Sequence, residues 1–392
     1  MSQQQKQVGT GVIFLFIAAI FGALLVLAQE PPPTPQNNIQ HAVPLEDIIF
    51  DDFDSPTRAL RYSDATPADI ERLRDRIRPF CRGEIAACLP IIYESAEDAD
   101  SWLLDSDQVV GYVAADGQAY AYPFNILNFH EIVNDTLADE PILISYCPLC
   151  NSAVVYSRQL NDDVLIFGNT SALYNSDLVM YDQQTDSYWF QVEGRAILGA
   201  LTGEVLTPLP SFVSRWDDWL AAHPDTLVLA RPGNHSRYNR NVFLGYADRI
   251  NDGGFVYPVE EAVRNDNRLA PAETVLVVQI GDEAKAYPLA QLGNSATYDT
   301  VGGQQIVILS RADGRSGAAF IPTLASGETV QLVYDTDSGL WRDEMSGSLF
   351  SLSGEAVTGA LAGEQLTPLA MRFTYWFAAV AAIPDVEVYR RE

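Results

Sequence analysis

Short apolar runs bounded by Gly, Asp or Asn recur along most of this chain, and their rhythm is that of strands. Val109-Val110-Gly111-Tyr112-Val113, Pro141-Ile142-Leu143-Ile144-Ser145-Tyr146, Ala153-Val154-Val155-Tyr156, Val164-Leu165-Ile166-Phe167 and Val275-Leu276-Val277-Val278 are short and rich in β-branched or aromatic residues. Asp116-Gly117 reads as a hairpin turn, and Gly281-Asp282 as a second one. One amphipathic helix stands out. Thr66 is placed to cap it, Pro67 sits at its first position, Asp69 completes a capping box, and Ile70, Leu73 and Ile77 form an apolar stripe. The pattern predicts a mainly β chain, of α+β type with few short helices.

The runs repeat. Ala121-Tyr122-Pro123 recurs as Ala286-Tyr287-Pro288, and Ile142-Leu143-Ile144-Ser145 as Val307-Ile308-Leu309-Ser310, at one constant shift of 165 residues. Further on, Tyr181-Asp182 and Trp189 return as Tyr334-Asp335 and Trp341, and residues 199–209 return as 359–369. Each copy closes with a short helix. Ser214 is placed to cap the first, Trp216 and Trp219 lie on it, and Pro224 follows it; Thr374, Trp376 and Pro384 take those parts in the second. Two copies are too few for a solenoid, so the expected architecture is two homologous β-rich copies in tandem. Copy one spans 101–230 and degenerate copy two spans 272–392. An irregular connection, 231–271, joins them, and a helical and loop lead-in, 46–100, precedes them.

The N-terminus changes the picture. Gly11 to Ala28 is an unbroken apolar run, long for a signal-peptide core and of the length of a spanning helix. The segment 1–28 is therefore expected to be a signal anchor or transmembrane helix, or a signal cleaved after Ala28. Either sends the rest of the chain out of the cytoplasm, with the membrane as a partner through residues 11–28. The Pro-rich segment 29–45 suits a stiff tether. Formal charge is −28, from 52 acidic and 24 basic residues. Such a surface repels phosphate backbones, so no nucleic-acid partner is expected.

Four cysteines remain to be placed. Cys81 and Cys88 lie close in sequence and are expected to form a structural disulfide in an oxidising compartment. Cys147-Pro148-Leu149-Cys150 falls between two strand-like runs, where two thiols can close a disulfide or grip one soft metal ion. The repeat serves as an internal control. At the shift of 165, Cys147 maps to Ala312, Cys150 to Arg315 and His130 to Ser295, so structural residues persist while the chemically able ones vanish. Function is expected in copy one.

Three segments, AYPFNILNFHEIVND (121–135), ISYCPLCNSAVVY (144–156) and LYNSDLVMYDQQTDSYWFQ (173–191), resemble the bacterial family called domain of unknown function 3179. Phe129 stands where that family usually has Trp, and Phe190 where it has a small residue. The resemblance implies no settled activity. Some members carry selenocysteine in the Cys-Pro-Leu-Cys turn, which implies redox chemistry.

Three readings of the site follow. In the first, Cys147 attacks a disulfide of an extracytoplasmic protein partner, Cys150 resolves it, and His130 stabilises the thiolate, oriented by Glu131 or Asp135. In the second, Cys147, Cys150 and His130, with Met180 as a thioether, bind copper or zinc, or deliver it to a partner. In the third, the turn is clamped by a disulfide and the protein is a structural or interaction module with no cofactor. Asn134 accompanies Asp135 near the turn. Tyr181, Asp182 and Trp189 recur in copy two and read first as fold-forming, whereas Gln191 has no clear counterpart and is the better functional candidate. His223 is expected to end a helix, and His41 and His235 lie in loop-like stretches. No phosphate-binding glycine loop, Gly-x-Ser-x-Gly elbow or His-Glu-x-x-His motif is present.

Overall fold

The structure is a computed structural model that describes residues 39–391 apart from 56, 84–86, 234 and 240. Gln40–Glu392 forms one unit. The run Gly11 to Ala28 and most of the Pro-rich tether lie outside the described residues. Among the described residues, no helix is long and apolar enough to cross a membrane.

The fold is mainly β. Two nine-stranded sheets carry it, and each is assembled from both sequence copies. In the first, Glu387–Val388, Glu283–Pro288, Thr274–Ile280 and Met371–Tyr375 of copy two join Ser152–Ser157, Glu140–Cys147 and Ile132–Leu137 of copy one. In the second, Ser295–Val301, Gln304–Ser310 and Gly317–Leu324 of copy two join Phe212–Arg215, Gln108–Val113, Ala119–Pro123 and Leu227–Leu229 of copy one. Corresponding strands make the two joints, with Ala153 opposite Phe373 in one and Val213 opposite Gly317 in the other. The copies are thus interleaved, with no boundary at the connection. The main core is shared likewise: Tyr122, Ile144 and Val155 pack in one cluster with Leu276, Tyr287 and Ile308.

Among the described residues two smaller sheets and a two-stranded ribbon, Gln159–Leu160 with Asp163–Val164, complete the fold. One has six strands and includes Phe167–Tyr174 and Asp177–Asp182; the other, of four strands, is built from copy two. The lead-in also joins the sheets. Ile49–Asp51 pairs with Phe167–Tyr174, and Phe80–Cys81 pairs with Ile132–Leu137.

The expected helix near residue 66 is present as Pro67–Leu73, with the capping box between Thr66 and Asp69 formed. It ends before Ile77, which leaves Leu73 as its one buried residue. The closing helices differ from expectation at their starts. They run Trp216–Ala222 and Trp376–Ala382, with Arg215 and Tyr375 at the N-cap positions and no side-chain cap. Ser214 and Thr374 remain in strands, because ladder pairing with Val109 and Val275 carries each chain one residue further before it turns.

The copies exchange bulk between sheet and helix. A Cβ at Gly111 would lie 2.2 Å from the Trp219 ring, so only glycine fits under that indole. In copy two the ladder places Val277 opposite Ala286, as Gly111 lies opposite Ala121, and Ala379 stands at the helix position of Trp219. We expect Gly111→Ala to destabilise the protein by roughly 1–3 kcal/mol through overpacking. A thermal melt unchanged from the parent would refute this.

Candidate functional site

Cys147 ends the strand Glu140–Cys147 and pairs across a tight hairpin with Ser152. The turn closes because Asn151 takes a left-handed conformation, φ 49°, that asparagine tolerates. Copy two braces it from the adjoining strand: the Cys150 carbonyl accepts from the Tyr375 N–H at 2.9 Å and from Thr374 Oγ1 at 3.3 Å. Both thiols are free and fully buried.

Asp177 meets them from the six-stranded sheet. Asn175 and Ser176, both left-handed (φ 49° and 62°), form a two-residue turn of the primed type and deliver Asp177 as the first residue of the next strand. Cys150 Sγ donates to Asp177 Oδ1 at 2.8 Å, and Val192 N–H donates to Oδ2 at 2.9 Å. The ligating atoms of Cys147, Cys150 and Asp177 all lie within 4.8 Å of one another.

A second carboxyl stands close by. Glu131 follows the helix Phe124–His130 in a left-handed conformation, φ 57°. Its Oε2 accepts from Asn169 Nδ2 at 2.6 Å. Asn169 is held by a β-bulge in which its own Oδ1 accepts from Ser171 N–H at 2.6 Å. Five non-glycine residues around the thiols therefore have positive φ (Glu131, Asn151, Ser171, Asn175 and Ser176), a concentration of strain typical of functional sites.

Burial dominates the electrostatics. It pushes Cys147 up to about 11, Cys150 well above the usual thiol range, Asp177 up to about 6 and Glu131 up to about 8. No basic side chain among the described residues pairs with any of the four. Three buried hydroxyls near them, Ser152 Oγ, Ser176 Oγ and Tyr246 Oη, make no well-formed hydrogen bond among the described residues, the last two lying beside each other.

The other sequence-derived candidates are placed as follows. His130 is held elsewhere. Its Nδ1 donates to the Arg78 carbonyl at 2.9 Å, so Nε2 accepts from the Tyr238 hydroxyl at 2.8 Å, and its ring packs edge-on against Phe80. Both nitrogens are engaged, and burial lowers its pKa to about 4, which keeps the ring neutral. Its supposed counterpart also shifts. The helix of copy two is one turn shorter, Leu289–Leu292, and Ser295 lies in the next strand opposite Ser310. Met180 is buried in the strand Asp177–Asp182, but three positions from Asp177 in a strand means the opposite face.

Asp135 binds Arg82, Tyr93 and Tyr122, and Tyr287 with Lys285 repeats this around Asp299 in copy two, which marks it as structural. Asn134 ties Phe80 and Phe167 beside the disulfide that joins Cys81 to Cys88. Tyr181 donates to Asp75 at 2.5 Å, and Asp182 accepts from Thr185 and the Trp189 indole. Gln191 lies behind the site, donating to Ser145 at 2.8 Å with its Oε1 unpartnered. His223 caps the C-terminus of the helix Trp216–Ala222.

Sequence reasoning passed over Asp177, Asn169 and Tyr246. The repeat held a signal for the first. At the shift that aligns Tyr181 with Tyr334, Asp177 falls on Val330, so the carboxylate is lost from copy two together with both thiols. Tyr246 comes from the connecting stretch, on the helix Tyr246–Asn251.

No curated protein and no solved structure matches the chain. One family model does, described as a protein of unknown function (DUF3179), and it covers residues 86–386, both copies and the connection between them. A match over most of the chain, carried through the hairpin that holds the buried cysteine pair, establishes that the chain belongs to the DUF3179 family.

Proposed function

We propose that this protein binds one soft or borderline transition metal ion, zinc or copper, through Cys147, Cys150 and Asp177. The observation that carries this reading is the burial of four acidic groups together without a counter-cation. Isolated buried charge is costly, and a metal ion offsets it by coordinating the thiolates directly. Sulfur and carboxylate oxygen suit zinc, and paired thiolates suit copper(I). Three protein ligands leave a coordination position open, as in sites that exchange or activate a ligand. The Cys81–Cys88 disulfide fits an exported protein working in an oxidising compartment, where a bound metal would protect Cys147 and Cys150 from oxidation.

Thiol–disulfide exchange is the second reading. The hydrogen bond from Cys150 to Asp177 favours it, since that carboxylate can accept the thiol proton. Against it, burial and the lack of a nearby cation hold both thiols in their protonated form.

Elemental analysis of the full chain, purified without chelators, separates the two. We expect about one equivalent of zinc or copper in the parent and a loss of most of it in Cys147→Ser. A parent free of metal even after incubation with both ions, whose cysteine pair oxidises and reduces reversibly, would replace the metal reading with the redox one.

A further inference from the structure

A cavity of about 540 Å³ opens beside the cysteine turn. Pro148 and Leu149, the two residues between the cysteines, form part of its wall, as do Glu131 and Tyr246. Its volume lies within the range of small-molecule sites, and most of its lining is apolar or aromatic.

Its charge runs against that of the protein. The chain carries −28, yet three arginines, Arg58, Arg76 and Arg237, line this one cavity against two carboxylates, Asp51 and Glu131. Arg58 is paired with Asp51 at 2.6 Å and Arg76 with Asp54 at 2.8 Å. Arg237 has no carboxylate partner among the described residues. Its guanidinium lies over the rings of Phe129 and Tyr238, at 4.5 and 5.4 Å from their centres, a stacking that fixes the group and leaves its N–H edges available. Two tyrosines also line the cavity. The hydroxyls of Tyr246 and Tyr257 are on residues 9% and 4% exposed, and neither makes a well-formed hydrogen bond among the described residues, although Tyr257 lies beside Asp51 and Arg58 and Tyr246 beside Ser176 and the Val256 backbone. Buried hydroxyls whose hydrogen bonds are poorly formed can turn to a ligand that binds beside them.

We propose that this cavity binds a small organic carboxylate with an apolar or aromatic body. Arg237 takes the carboxylate, the tyrosine hydroxyls donate to its oxygens or to a polar substituent, and the apolar wall covers the rest. The body distinguishes this ligand from inorganic anions, which would gain nothing from that wall. The carboxylate distinguishes it from neutral lipids, which would leave Arg237 unpaired. The inference is independent of the metal reading, because none of its contacts is a metal ligand.

Calorimetric titration of the full chain with 3-phenylpropanoate, 3-phenylpropanamide and inorganic phosphate, each with and without EDTA, tests it. We expect one site per chain, with the carboxylate at least tenfold tighter than the amide or phosphate, in EDTA as well. Arg237→Gln, an exposed position whose folding is checked by circular dichroism, should remove the preference for carboxylate over amide. Tyr257→Phe should weaken both ligands severalfold and keep their ratio. Equal binding of acid and amide, or no binding of either, would overturn the proposal. So would a preference that survives Arg237→Gln. A preference present with metal but lost in EDTA would assign anion recognition to the metal and overturn the role of Arg237.

Discussion

Cys150→Ser is expected to cut metal affinity about a hundredfold while leaving the fold intact, and Cys150→Ala to lose both metal and stability. Structural zinc sites with four ligands bind with about 10–16 kcal/mol, so one ligand is worth roughly 3 kcal/mol, or about a hundredfold. Serine retains a hydroxyl in place of the thiol and can still donate to Asp177 Oδ1, as Cys150 does at 2.8 Å. Alanine cannot. It takes one hydrogen bond from a buried carboxylate, at a cost of about 1–3 kcal/mol. Metal titration and thermal melts of both variants separate a ligand from a packing residue. If Cys150 only filled space, both variants would melt lower and neither would change metal uptake. If the turn were clamped by a disulfide, Cys150→Ser would be destabilised under oxidising conditions and indistinguishable from the parent under reducing ones.

Most strands were legible because burial on one or both faces leaves a local record, and their hairpin turns carry Gly117 and Gly281 in left-handed conformations; the run Val164–Phe167 is the exception, split between the end of Asp163–Val164 and the start of Phe167–Tyr174. The duplication was legible in the recurring motifs. The exchange of half-sheets between copies was not. It depends on two joints, Ala153 with Phe373 and Val213 with Gly317, between strands distant in sequence whose patterns say only that they are buried.

The site was legible in part. The cysteine pair stood out by chemistry alone. His130 was drawn to it by proximity in sequence, on the assumption that a hairpin would bring the two together. Helix geometry decided otherwise. His130 ends the helix Phe124–His130 and is taken up by Arg78 and Tyr238, while the left-handed residue that follows turns Glu131 toward Asn169. Asp177 escaped notice because a carboxylate at the head of an apolar strand resembles an ordinary turn residue. Its meaning comes from the primed turn before it and from thiols that reach it across two sheets.

Glu131→Gln should make the metal-free protein more stable at neutral pH, by about 3 kcal/mol at pH 7, and the gain should vanish in acid. The sign follows from burial. Glu131 is buried among thiols and a second carboxyl, and its pKa rises from 4.5 to about 8. Below pH 4.5 the group is protonated in both folded and unfolded chains, and it costs nothing. As pH rises from 4.5 toward 8 the unfolded chain ionises it while the folded one holds it neutral, so stability falls with pH across that window. Above 8 both states are ionised and the loss is complete. Glutamine is neutral throughout, keeps an oxygen to accept from Asn169 Nδ2, and removes the slope. Asp177, raised from 3.8 to about 6, adds a slope of the same sign over a lower window that the variant retains. His130, lowered from 6.5 to about 4, adds one of opposite sign, because its stabilisation is lost as pH falls from 6.5 to 4. The comparison must therefore be between parent and variant at each pH, by denaturant unfolding at pH 5 and pH 7.5 in EDTA. Equal stability at both values would mean that Glu131 is ionised and solvated in the folded protein, and the cluster would no longer be a pocket of uncompensated acid waiting for a cation. A gain confined to the higher pH, shrinking when zinc or copper is restored, would show that the ion relieves the same electrostatic penalty as the amide.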